Sequence, residues 1–166
     1  LHDFAVAIRC LEHEEKIHRT VVIDCDLHQG NGTAFIFTND QNVFTFSIHQ
    51  QNLYPVKQSS NLDIGLDDFA GDEIYMEHIT QKVPEILDQQ KAELVVYEAG
   101  ADPFEGDQLG SLRLSKECLQ ERDFFVLREC RTRGIPIVGV LGGGYATNSE
   151  DTVEIHTNTC KAFWLA

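Results

Sequence analysis

Apolar positions recur along the chain with two periods, and the alternation of those periods is its first structural signal. The opening stretch "DFAVAIRCLEHEEK" places Phe4, Ile8 and Leu11 at helical spacing, which predicts an amphipathic helix. "RTVVID" is an unbroken β-branched run suited to a strand buried on both faces, and "NVFTFSIH" from Asn42 to His49 predicts a second strand. "QQNLYPVKQSSNLDIGLDDFAGDE" is polar and rich in turn residues, so it reads as a long loop. From Asp72 to Gln90, Ile74, Ile79, Val83, Ile86 and Leu87 share a helical face, with a kink expected at Pro84. "AELVVYEAGAD" predicts a third strand. A helix follows, with Ser115 as N-cap and Gly134 just past its end, then a fourth strand in "IPIVGVLGGGY" and a last helix from about Glu150.

Strands alternating with helices predict an α/β domain with a mostly parallel sheet. Ligands of such sheets lie beyond the carboxyl ends of the strands. Here those ends carry Asp24, Asp26 and His28, then Ser47 and His49, then Asp102, then three glycines before Tyr145. If the first strand stays extended, positions 24, 26 and 28 point the same way.

Two carboxylates and an imidazole from different strands make an oxygen and nitrogen set for a divalent ion, with coordination positions left open. Asp26, His28 and Asp102 are the best three. Buried carboxylates without a cation or donors cost several kcal/mol, which argues against an idle cluster. Asp24 lies deeper in the sheet, and either a softer monovalent site shared with Ser47 or plain hydrogen bonding accounts for it. A tyrosine after "GGG" is placed to donate its phenolic hydrogen to an oxyanion. The glycines lack the P-loop Lys and the GxGxxG spacing, which excludes a nucleotide reading.

Composition narrows the class without naming a chemistry. With 166 residues and 42% hydrophobic content, residues 1–166 are expected to form a single domain. A formal charge of −14 disfavours direct nucleic-acid binding and tolerates cationic partners. No membrane span or signal peptide is visible. Five scattered cysteines without a CxxC pair suit free buried thiols in a reducing compartment, so the cytoplasm is expected. The chain lacks an initiating Met and opens inside a helix, which points to a piece of something longer.

Four segments, "DCDLHQGNGTA", "FTFSIHQQNLYP", "YEAGADPFEGDQLGSLRLS" and "GGGYA", closely resemble in this order the zinc-dependent histone deacetylase superfamily, particularly its bacterial and class IV-like branch. The similarity runs from about Asp3 to Phe163. It implies an arginase/deacetylase-like three-layer fold, of which this chain holds the central and later part. It makes Asp26, His28 and Asp102 ligands of Zn2+, although the mixed set suits Fe2+ equally. It makes Tyr145 the residue that polarises the acyl carbonyl. Asp24 and Ser47, with the main chain at His28 and Ile48, match the family's potassium site. Asn31 falls where the family orients a catalytic histidine, and Tyr54 where an aromatic wall lines the acyl-lysine tunnel. Leu109 stands where polyamine-specific members carry a glutamate, which favours an acetylated lysine peptide or small acyl amide as substrate.

Departures from the family pattern are equally specific. Members carry a tandem His-His pair upstream of the matched region, and no adjacent histidines occur in this sequence. His2, His13 and His18 are expected in surface or capping roles. Leu141 replaces the first residue of the family's four-glycine run. The resemblance therefore implies amide hydrolysis for the parent protein and little or no activity for residues 1–166 alone. A non-catalytic metal-binding or interaction module is the alternative, and a binuclear arginase-like hydrolase ranks below both because only one ligand set is present.

Overall fold

A computed structural model describes residues 2–165. The elements run α1 (Asp3–His13), β1 (Thr20–Asp24), α2 (Asn31–Ile36), β2 (Val43–Gln50), β3 (Leu62–Leu66), α3 (Asp72–Gln90), β4 (Leu94–Gly100), α4 (Lys116–Thr132), β5 (Ile137–Gly142) and α5 (Ser149–Leu165). The five strands form one sheet in the order β3-β2-β1-β4-β5, and every pairing is parallel. β1 lies at its centre, which explains why all five of its residues are buried.

The strand period of two divides β1 between two cores. Val21 and Ile23 join Ile79, Val83, Leu119, Val126 and Ile155, which brings α3, α4 and α5 onto one face. Val22 joins Ala5 and Ile8 of α1 with Phe37 and Val43 on the other. Helices therefore cover both faces, giving the three-layer α/β arrangement. The helix signals in the sequence are borne out at α4: the Ser115 side chain accepts a hydrogen bond from the Cys118 amide, and Gly134 just past the helix has a φ of +67°. α3 continues through Pro84.

Two elements depart from the sequence reading. The long loop contains β3, whose residues pair with β2 from Phe46↔Leu62 to Gln50↔Leu66. Asp63 and Gly65 are poor strand formers, and only pairing along the β2 edge makes this segment extended. α2 is a single short helix whose Asn-Gly start carries no side-chain cap, so neither period nor cap announced it. Of the cysteines, Cys25, Cys118 and Cys130 are buried as expected, whereas Cys10 and Cys160 are exposed. No helix among the described residues is long and apolar enough to cross a membrane.

Candidate metal centre

β1 ends at Asp24, so the extended run does not continue through His28 as the alternation argument assumed. The chain instead turns on its own carboxylates. The Asp26 amide donates to Asp24 Oδ1 at 3.0 Å, and the His28 amide donates to Asp26 Oδ1 at 2.7 Å. These successive turns carry Asp26 and His28 toward the end of β4, where Asp102 follows Gly100. Asp102 Oδ1 accepts the Leu27 amide at 3.0 Å, which binds the two strand ends to each other.

One ligand atom each from Asp26, His28 and Asp102 lies within 4.8 Å of the others. His28 Nδ1 stands 3.1 Å from Asp26 Oδ1 and 3.3 Å from Asp102 Oδ2. Asp102 is 1% exposed, and the His28 ring nitrogen at 3.3 Å faces its Oδ2 without the alignment of a hydrogen bond. A buried carboxylate oxygen without an aligned donor, facing an imidazole nitrogen and a second carboxylate, is the arrangement a cation completes. The adjacent carboxylates of Asp102 and then Asp26 lift the His28 pKa to about 10, against the smaller opposing effect of burial. Burial also raises the pKa of Asp102, and the Asp26 charge adds to that rise.

A second tier of acid lies behind the cluster. Asp24 pairs in register with Ser47 of β2 and with Glu98 of β4. Burial pushes the Asp24 pKa well above the usual carboxylate range, followed by repulsion from Glu98 and Asp26. Glu98 was missed by the sequence reading, although a lone charge inside the apolar run "LVVYEAG" was visible there. Burial, then Asp26 and Asp102, raises its pKa to about 7. Its side chain borders an open groove of about 700 Å³ that also touches His2, Thr33, Val138 and Val140. Ser47 is buried, and its Oγ lies 2.9 Å from His49 Nδ1. Ile48 beside it is fully buried.

The other predicted positions fall around the rim. Asn31 is the first residue of α2 and is half-buried. Tyr54 is exposed, with its ring centroid 6.5 Å from that of His28 in an edge-on arrangement. Leu109 is exposed, and its amide donates to Asp107 Oδ1 at 2.8 Å. Asp107 Oδ2 also accepts the Tyr145 amide at 2.6 Å, so one carboxylate joins the Leu109 and Tyr145 loops. Gly143 has a φ of +58° and packs so closely on Asp102 that a side chain there would overlap the carboxylate. The Tyr145 side chain is half exposed.

His13 and His18 are exposed as expected, but His2 is not a simple surface or capping residue. It occupies the N-cap position of α1 without a side-chain cap, and its Nε2 hydrogen-bonds with Thr33 Oγ1 at 2.9 Å. The second residue that sequence reasoning missed is Arg122, which is fully buried beneath the cluster. Its signal lay in the periodic face of α4, where Arg122 and Asp123 fall between Leu119 and Val126 on the buried side.

Known proteins resemble this chain in sequence and fold. An uncharacterized protein of Picosynechococcus sp. is 41% identical over 158 residues, covering 95% of this chain and 53% of that protein. Histone deacetylase 2 of Arabidopsis thaliana is 32% identical over 139 residues, covering 81% of this chain and 36% of that protein. The chain thus spans about half or less of the length of these relatives. The crystal structure of an acetylpolyamine aminohydrolase from Burkholderia pseudomallei superposes with a TM-score of 0.82 at 20% identity, covering 99% of this chain and 50% of that one, and so shares the fold. Because residues 1–160 match the histone deacetylase domain, the chain belongs to the histone deacetylase family.

Proposed function

We propose that this chain forms the metal-binding wall of a zinc-dependent amidohydrolase that removes acetyl groups from acetyl-lysine or related acyl amides. The observation that carries the reading is the convergence of Asp26, His28 and Asp102 within 4.8 Å, with the buried Asp102 Oδ2 facing the His28 ring nitrogen at 3.3 Å. These three residues would hold the ion and leave coordination positions open. When bound, the ion supplies Lewis acidity toward an acyl oxygen and lowers the pKa of a water.

The remaining residues act around that centre. Tyr145 donates its phenolic hydrogen to the acyl oxygen as negative charge develops there, with its backbone fixed by Asp107. Tyr54 contributes an aromatic wall, and the apolar Leu109 offers no anion to a second amine of a polyamine. Asp24 and the Ser47 hydroxyl, with main-chain oxygens at His28 and Ile48, would hold a potassium ion. Asn31 orients a histidine supplied from outside these residues. The sequence has no adjacent histidine pair to take a proton from water, so hydrolysis belongs to the whole protein.

Elemental analysis after zinc loading, followed by assay with an acetyl-lysine peptide, tests the proposal. One zinc per chain with negligible turnover by residues 1–166 is expected. Two tightly held transition metals per chain would sink the mononuclear assignment, and turnover by these residues alone would remove the requirement for an outside base.

A further inference from the structure

We propose that Arg122 is a positioning residue that sets the separation of the two ligand-bearing strand ends, an inference that rests on the metal reading above. The ladder between β1 and β4 closes with the pair Asp24↔Glu98, after which the strands part toward Asp26 and Asp102. Cys25 and Gly100 lie just beyond that last pair, and both residues are buried. A buried carbonyl needs a donor. Arg122 Nη1 reaches both carbonyls, at 3.3 Å to Cys25 and 3.0 Å to Gly100. One nitrogen therefore tethers the residue just before Asp26 and the residue two before Asp102.

The guanidinium is itself held rigidly. Its Nε donates to Asp123 Oδ1 at 2.9 Å, and that carboxylate also accepts the Tyr97 hydroxyl at 2.5 Å and the Thr159 hydroxyl at 2.6 Å. These partners come from β4, α4 and α5, so the planar fork is anchored to three elements before it meets the strand ends. On the opposite side Gly100 lets the strand ends touch: a Cβ there would stand 2.5 Å from the Asp26 Cα. The Gly100 approach sets the lower limit of the separation and the Arg122 tether sets the upper one. A lysine could keep an ion pair with Asp123 but presents a single flexible nitrogen, which does not bond Asp123 and both carbonyls in one plane. Removing Arg122 alone would leave Asp123 as an unpaired buried charge and threaten the fold for a reason unrelated to the metal.

Three variants of the protein separate these roles: Asp123→Asn, Arg122→Lys, and the double variant Arg122→Met with Asp123→Asn. Each is titrated with Co2+, read by its visible d–d spectrum, after folding is checked by circular dichroism. The Asp123→Asn protein leaves the buried Arg122 without its counter-ion but keeps an Oδ1 for its Nε and both carbonyl tethers; once circular dichroism shows it folded, it is expected to bind Co2+ within about threefold of the unaltered protein, with the same spectrum. Arg122→Lys and the double variant are expected to bind about 10- to 100-fold more weakly, the range for loss of an outer partner, with displaced d–d bands. Unchanged affinity and spectrum in folded Arg122→Lys would overturn the inference. So would an equal loss in Asp123→Asn, which would trace the effect to the charge pair, or failure of Arg122→Lys to fold in saturating Co2+, which would make Arg122 a requirement of the fold. If the unaltered protein binds no Co2+, the metal reading fails and this inference falls with it.

Discussion

Gly100 and Asp26 touch backbone to backbone: a Cβ on Gly100 would lie 2.5 Å from the Asp26 Cα and 3.0 Å from the Cys25 carbonyl oxygen. Neither obstacle is a flexible side-chain end that could swing away, so a methyl group there must push β1 and β4 apart. Gly100→Ala is expected to destabilise the protein by about 1–3 kcal/mol, the usual cost of overpacking. It should also weaken Co2+ binding by about tenfold, because it widens the gap between Asp26 and Asp102. Urea unfolding beside a Co2+ titration checks both, and an alanine variant with unaltered metal affinity would show that the contact does not set the site.

As a proposed cation ligand, Asp102 weighs against the metal-free fold. Burial raises its pKa, so its ionisation is less favourable folded than unfolded, and that contribution to stability falls as pH rises through the ordinary carboxylate range. Asp102→Asn removes the ionisation yet keeps an oxygen for the Leu27 amide. In the presence of a chelator this variant should melt no lower than the unaltered protein at pH 7, and it should lose more metal affinity than the ~10- to 100-fold typical of an outer partner. A lower melting temperature in chelator would indicate that the carboxylate supports the apo fold.

Much of this arrangement was legible in the sequence, and what was not has definite physical causes. Buried runs such as "TVVID" and "LVVYEAG" carry their strand signal locally, and the carboxyl-end rule then places Asp26, His28 and Asp102 at one rim. β3 was hidden because its extended shape comes from pairing with β2. The direction of Asp26 and His28 was inferred from a pleat that ends at Asp24; their convergence arises from side chain to amide turns instead. Arg122 escaped notice because its partners, Cys25 and Gly100, are 97 and 22 residues away in sequence.

Zinc should stabilise the folded protein in proportion to its occupancy. A ligand that binds only the folded state at about 100 times its Kd contributes about 2.7 kcal/mol. For a chain of this size that corresponds to a rise in Tm of about 5–10 °C. Scanning calorimetry with zinc and then with excess chelator is expected to show the rise and its reversal. No rise at saturating zinc would mean that the cluster does not bind the ion in its folded geometry.

The role proposed for Tyr145 and those proposed for the candidate metal ligands are separable. In the whole protein, Tyr145→Phe removes the phenolic donor and keeps the ring, and loss of one oxyanion donor typically costs ~10²- to 10³-fold in kcat. Metal content should stay unchanged, because the tyrosine lies outside the Asp26, His28 and Asp102 set. A variant that retains kcat would remove Tyr145 from the proposed chemistry.

Cys25 stands in sequence between two candidate anions, yet its thiol belongs to the core on the α3 and α4 face, beside Tyr75 and Arg122. Burial raises the thiol pKa of Cys25, Cys118 and Cys130 from 9.0 to about 12. The thiolate is the nucleophile, so at pH 8 such a shift lowers the reactive fraction by about a thousandfold, before restricted access is counted. Alkylation with iodoacetamide at pH 8, followed by peptide mass spectrometry, should therefore modify the exposed Cys10 and Cys160 first. The three buried thiols should react only as the protein unfolds. The Co2+ complex should likewise lack the near-ultraviolet charge-transfer band of a thiolate ligand, and Cys25→Ala should leave its d–d spectrum intact. A thiolate band that disappears in Cys25→Ala would place sulfur in the coordination shell and displace one of the oxygen ligands assigned here.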